Sequence, residues 1–140
     1  MVALKVYFKE LLVNTRSKRE LVDITAEVER TVSESGVKNG LCLVFAPHAT
    51  AAIIANEHER GLKNDILRKL EKDYPSDGGW EHNRIDDNAA AHLASAFLAA
   101  SRIFPVINGN LVRGTWQNIF LVELDGPRSH RRVLIEVMGE

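Results

Sequence analysis

A chain of 140 residues is long enough for one domain with a real core and short for two, so a single domain over residues 1–140 is expected. Apolar residues at 45% and charged residues at 26% describe a globular chain and exclude a disordered one, while a net charge of −1 gives no footprint for nucleic acid or an anionic membrane surface. No apolar run approaches the roughly 18 residues of a membrane span, and the start, Met-Val-Ala-Leu-Lys-Val-Tyr, lacks the basic-then-apolar order of a signal peptide, so the expected location is the cytoplasm.

Residues 3–13 alternate loosely and predict a first strand, with Asn14-Thr15-Arg16-Ser17 as a turn and residues 20–24 pairing back onto that strand. Thr25 is the candidate N-cap of a helix over 26–35: Glu27 and Glu29 sit near its positive end, Gly36 supplies the stop, and Val28 and Val32 form its inward stripe. The continuous apolar run 40–46 predicts a strand buried on both faces. It contains Cys42, the one cysteine of the chain, which rules out an internal disulfide and reads as a buried inert thiol.

Pro47 and His48 interrupt that run. The small and β-branched residues that follow, if extended, place His48, Thr50, Ala52, Ile54 and Asn56 on one face. A helix is expected over 59–72 with Leu62, Ile66, Leu67 and Leu70 inward, followed by a loop at 74–79. Residues 80–87 carry Glu81, His82, Asp86 and Asp87 without a clear period. Asp86 or Asp87 can cap a helix reaching about residue 99, with Asn88, His92 and Ser95 as its polar stripe and Ala89, Leu93, Ala96 and Phe97 as its apolar one.

The stretch 108–128 reads as one long strand. Asn108-Gly109 signals a tight hairpin turn before it and Asp125-Gly126-Pro127 closes it. Trp116, Asn118, Phe120, Val122 and Leu124 form the core face; Thr115, Gln117, Ile119, Leu121, Glu123 and Asp125 form the other. Carboxylates on a covered face are costly to bury alone, so a positive partner is expected opposite Glu123 and Asp125. Strands over 103–107, 111–113 and 132–138 complete an α+β domain built on an antiparallel β-sandwich with flanking helices.

Three constellations could carry chemistry. His48, His82 and His92 stand beside small or polar neighbours, and three imidazoles would leave a divalent ion an open position; a hydrogen-bonded imidazole is the plainer reading of each. His58 and His130 read as exposed. Arg128, after Asp-Gly-Pro, offers a fork for carboxylate or phosphate, with Arg113, Arg131 and Arg132 in reserve, or an ion pair with Asp125 or Glu123; a solvated face is the plainer reading of Arg131 and Arg132. Glu57, Asp86, Asp87, Glu123 and Asp125 could hold an ion or act as base, with Asp86 and Asp87 equally explained as caps. No P-loop, nucleophile elbow or dinucleotide fingerprint occurs.

His48-Ala49-Thr50-Ala51-Ala52-Ile53 with Asn56-Glu57, Asp87-Asn88-Ala89-Ala90-Ala91-His92-Leu93, Ile107-Asn108-Gly109, Gly114-Thr115-Trp116-Gln117 and Glu123-Leu124-Asp125-Gly126-Pro127-Arg128 together resemble the YjbQ-like family, also called the secondary thiamine-phosphate synthase family. The resemblance implies a sandwich assembled as a homotrimer, with a polar pocket near the subunit interface. It implies His48, His82 and His92 as ligands of a divalent metal, zinc or magnesium, and Glu57, Glu123, Asp125 and Arg128 as catalytic residues. Thr50, Asn88, Thr115, Gln117 and Arg128 would bind a small phosphorylated substrate. The implied activity joins a phosphorylated thiazole to a pyrophosphorylated pyrimidine and releases pyrophosphate. One departure is Ala49, where the family usually has threonine, so that any hydroxyl contact falls to Thr50. The alternative readings are a metal or phosphorylated-ligand binder without turnover, and a structural set in which Glu123, Asp125 and Arg128 tie subunits together.

Overall fold

The structure, a computed structural model, describes residues 3–140. Among the described residues, eight strands form two antiparallel sheets. β1 (Lys5–Val13), β8 (Arg131–Gly139), β3 (Gly40–Phe45), β5 (Ser101–Ile107) and β6 (Asn110–Leu111) lie in that order in the first; β2 (Glu20–Asp23), β7 (Asn118–Glu123) and β4 (Ala51–Asn56) form the second. The expected α+β sandwich with flanking helices is therefore what the chain adopts.

Period-2 patterning explains the main core. Cys42 and Val44 on β3, Phe104 and Val106 on β5, and Val133, Ile135 and Val137 on β8 point inward and meet Ile53, Ile119 and Leu121 of the second sheet. Helix α1 (Thr25–Ser35) adds Val28 and Val32 to this core and ends at Gly36, whose φ of 70° is the left-handed stop that glycine favours. Helices α2 (Arg60–Asp73) and α3 (Ala89–Leu98) cover the other face of the second sheet, packing Leu70, Ala91 and Ala94 on Ala52, Val122 and Leu124.

Several expectations are corrected. Residues 20–23 pair with β7, not with β1. The N-terminus of α1 is held by Asp23, whose Oδ1 accepts from Thr25 N at 3.0 Å and Thr25 Oγ1 at 2.6 Å; Thr25 itself is already helical. Helix α2 is capped by Glu59, which accepts from Gly61 N and Leu62 N at 2.6 and 2.8 Å. Neither Asp86 nor Asp87 caps α3: Asn88 holds the N-cap position, and Asn83 Oδ1 accepts from Ala89 N at 3.1 Å. That helix buries Ala89, Ala90, Ala91, Ala94 and Ser95 and leaves Ala96 and Phe97 exposed, because the close approach of α3 to the sheet suits small side chains on the inner face.

The long strand is interrupted. Asn108-Gly109, with φ of 51° and 78°, turns β5 into β6, and a second turn through Thr115 and Trp116 separates β6 from β7. Trp116 is consequently 71% exposed instead of core, while β7 is buried on both faces as the middle strand of its sheet. β3 is buried on one face only. Its other face belongs to the outer surface of the five-stranded sheet, where Val6, Phe8, Leu12, Leu41, Ile103 and Met138 are exposed.

Candidate functional site

At the Glu123 end of β7 the two sheets are joined by a buried ion pair. Glu123 is fully buried. Its carboxylate accepts from Arg131 Nε at 3.0 and 3.1 Å and from Arg131 Nη2, from Thr15 Oγ1 at 2.7 Å, and from the backbone N–H groups of Leu124 and Asp125 at 3.0 and 3.1 Å. Burial alone would raise its pKa, but the hydrogen bonds from Arg131, Thr15 and Asp125 N–H outweigh it and hold the carboxyl below its ordinary range. Arg131 also donates to the Thr50 carbonyl at 3.1 Å and to Thr50 Oγ1 at 3.0 Å.

The positive group opposite Glu123 is therefore Arg131, not Arg128, and Arg131 is buried instead of solvated. Arg128 is half exposed and pairs with Asp125 at 2.9 Å, while Lys18 approaches the same carboxylate at 3.4 Å. Asn88 Nδ2 donates to Asp125 at 3.0 Å, and Asn88 Oδ1 is buried with no donor reaching it among the described residues. Burial works to raise the Asp125 pKa; Asn88, Arg128 and Lys18 reverse that and keep it low. Arg128 N donates in turn to Thr15 Oγ1 at 2.8 Å, so Thr15 links the two carboxylate clusters.

His48 is half-buried beside this network. Arg132 N donates to His48 Nε2 at 2.9 Å, which fixes the neutral imidazole with its proton on Nδ1. Burial and the nearby Arg131 charge push its pKa below the ordinary histidine value. His82, on a short 3-10 turn (Glu81–Arg84), faces His92 one turn into α3, with ring centroids 4.8 Å apart in an edge-on arrangement. These two line a pocket of about 470 Å³ with Trp80, Glu81, Ala89 and Leu93.

Among the described residues no three His, Cys, Asp or Glu side chains of one chain come together to hold an ion. The expected set of His48, His82 and His92 is thus not assembled within a single chain: His48 is tied to β8, the other two to the 3-10 turn and α3. Glu57, Thr115 and Gln117 also stand apart. The β4/β7 ladder pairs Ala51 with Glu123 and Asn56 with Asn118, so these three sit at the other end of β7, roughly 17 Å away by strand rise. There Gln117 Oε1 accepts from Gly114 N at 2.7 Å.

Sequence reasoning missed Thr15 and Lys18 and held Arg131 only in reserve as an anion-binding group, placing it on a solvated face. For Arg131 a signal exists: it lies in register with Val133, Ile135 and Val137, so an inward-facing set begins with a charge. The two loop residues carry no comparable signal.

A family model described as UPF0047 protein YjbQ-like matches residues 9–140. A UPF0047 protein of Methanothermobacter thermautotrophicus is 45% identical over 139 residues, covering 99% of this chain and 96% of that one, and the UPF0047 protein YugU of Bacillus subtilis is 41% identical over 135, covering 94% and 98%. Among solved structures, a YbjQ-like protein of unknown function from Sulfolobus solfataricus superposes with a TM-score of 0.97 at 59% identity, covering 99% of this chain and 100% of that one. Fold, motifs and matched length agree, and the chain belongs to the UPF0047 YjbQ-like family.

Proposed function

We propose that the chain is a small homotrimeric enzyme with secondary thiamine-phosphate synthase activity, working on phosphorylated small molecules at the cluster formed by Asn88, Asp125, Arg128, Lys18 and His48. The observation that carries this reading is the charge count around Asp125. Two half-exposed cations lean on one carboxylate, leaving a net positive rim suited to phosphate oxygens.

In the proposed reaction the C–O bond to pyrophosphate breaks and the leaving oxygens take the electron pair. The thiazole nitrogen then closes the new C–N bond. Lys18 and Arg128 bind the departing charge, Asp125 faces the cationic pyrimidine carbon, and Asn88 orients Asp125. Arg131 and Glu123 hold Thr50 and the site backbone in place. A divalent ion, zinc or magnesium, enters this proposal only with His82 and His92 as two of its donors and the rest supplied by a second subunit or the substrate; no step is assigned to it. Self-association is supported by the exposed apolar outer face of the five-stranded sheet, since monomers rarely leave such a face open.

Glu123 favours a second reading. A carboxylate saturated by an arginine, a hydroxyl and two N–H groups cannot take a proton from substrate, so the same cluster suits a phosphorylated-ligand binding protein without turnover. The test is incubation with the phosphorylated thiazole and the pyrophosphorylated pyrimidine under magnesium or zinc. Thiamine phosphate formed by the wild type and lost in Arg128→Ala and His48→Ala, with assembly unchanged, is the expected result. Full activity in both variants defeats the assignment of the site, and bound substrate without product favours the binder.

A further inference from the structure

A second concavity, about 860 Å³, follows the outer edge of β4, where that sheet ends, and reaches across to β5 and to the connection between β6 and β7. It lies at the Asn118 end of β7, away from Asp125. Ile54, Ile66, Leu98, Phe104 and Val112 give it an apolar wall, and its volume falls within the range of small-molecule sites, about 300–1,000 Å³.

Two guanidinium groups line it, and they differ in one respect. Arg113 donates to the Gln117 carbonyl at 2.6 Å and is paired with Glu29 at 3.3 Å, so its charge is answered. Arg102 donates to the carbonyls of Leu98 at 2.7 Å and Ser101 at 3.0 Å, and no carboxylate lies within ion-pair distance of it among the described residues. Leu98 ends α3, whose carbonyl terminus carries roughly half a negative charge, so the helix answers only part of the cation. The two carbonyls also pin the side chain. Three of its five N–H groups remain for a ligand, on a fork already held in place.

We propose that this groove binds a small organic acid with an apolar body, its carboxylate on Arg102 and its body against Ile54, Ile66 and Phe104. A single unanswered guanidinium sets the charge of the ligand at one carboxylate. The apolar wall calls for a remainder that carries no further charge. The site is separate from the phosphate-binding cluster and does not depend on the reaction assigned there.

The test uses the assembled protein carrying 13C-labelled isoleucine δ1 methyl groups, titrated with 2-naphthoate and with the uncharged 2-naphthamide. The acid shifts the Ile54 and Ile66 methyls saturably and binds at least tenfold more tightly than the amide. Arg102→Gln removes that tenfold difference by weakening the acid alone, Arg102→Lys removes part of it, and Arg128→Gln leaves it intact. The comparison of acid and amide on the wild-type chain needs no variant to fold. The proposal is overturned if the acid leaves Ile54 and Ile66 unshifted, if the amide binds as tightly, if a folded Arg102→Gln binds the acid as the wild type does, or if Arg128→Gln abolishes binding.

Discussion

Arg131 reaches from β8 in one sheet to Glu123 on β7 in the other, so the most deeply buried ion pair among the described residues is also a bolt across the sandwich. Thr15 follows β1 of the first sheet and Thr50 precedes β4 of the second, and both hydroxyls bond into the same pair. The candidate site grows on the surface of this bolt: Asp125 is two residues past Glu123, and His48 accepts from the residue after Arg131. A full set of partners makes the pair compatible with burial.

Breaking the pair from one side leaves the other charge stranded. Glu123→Leu is expected to destabilise by about 3–5 kcal/mol, a fall in Tm of roughly 10 °C or more, and the double variant Glu123→Leu/Arg131→Met is expected to recover most of that loss. Thermal unfolding of the wild type and the two variants checks it. A double variant no more stable than the single one would mean that the charges are worth more than their burial costs.

The same pair imposes a pH dependence. The Glu123 pKa is lowered on folding, so its contribution is fully present above the unfolded carboxylate value, 4.5, and is lost as pH falls through the folded value below it. Asp125 acts in the same direction from its ordinary 3.8. Wild-type Tm should therefore fall on acidification below about pH 4.5, and Glu123→Gln should show a flatter profile from a lower start. Parallel profiles would remove Glu123 from the acid transition.

His48 is predicted to stay neutral at pH values where a free imidazole is half charged. Burial is the main cause and Arg131 the next, so its folded pKa lies below 6.5 and any stability it contributes is present above 6.5 and lost as pH falls below. Imidazole 15N shifts should report a neutral ring with the proton on Nδ1 at pH 7, and Arg131→Met should raise the titration midpoint towards 6.5. A charged ring at pH 7 would contradict the hydrogen bond from Arg132 N.

Local signals carried most of the fold. Gly36, Asn108-Gly109 and the apolar runs at 40–46, 103–107 and 132–138 mark a helix stop, a turn and three strands through neighbours in sequence, and the end of α1, the β5–β6 turn, β3, β5 and β8 lie there, although β3 is buried on one face and not on two. Errors fall where the deciding contact is distant. Trp116 looked like core because alternation across residues 108–128 was unbroken, and only the β5–β6 pairing shows that the strand stops and turns. Asp125 and Arg128, three apart, were legible as a pair; Glu123 with Arg131 was not, because it depends on which sheet β8 joins.

The outer face of the five-stranded sheet is expected to be buried between copies. Phe8, Glu136, Leu43 and Ile103 lie in one cross-strand row, with Val6, Met138 and Leu41 in the next but one. Phe8→Asp with Ile103→Asp should yield a folded chain of 15.6 kDa by sedimentation, where the wild type sediments as three chains, about 47 kDa. A wild-type monomer would end the trimer proposal.

Gly126 offers a separate check on the site. A Cβ built there would lie 2.1 Å from the Ser17 carbonyl oxygen and 2.8 Å from Glu123 Cγ, so neither the loop before β2 nor the buried carboxylate leaves room for a methyl group. Gly126 N also donates to the Lys18 carbonyl at 2.9 Å, which holds that loop against Asp125. Gly126→Ala must push the Ser17–Lys18 backbone outward, carrying the Lys18 ammonium away from Asp125. The expected cost is about 1–3 kcal/mol from overpacking, with weakened binding of inorganic phosphate at the Lys18–Arg128 rim. Thermal unfolding and a phosphate titration read the two effects separately. Lost stability with unchanged phosphate binding would show that Lys18 is no part of the anion site, and no loss of either would show that the loop is free to move.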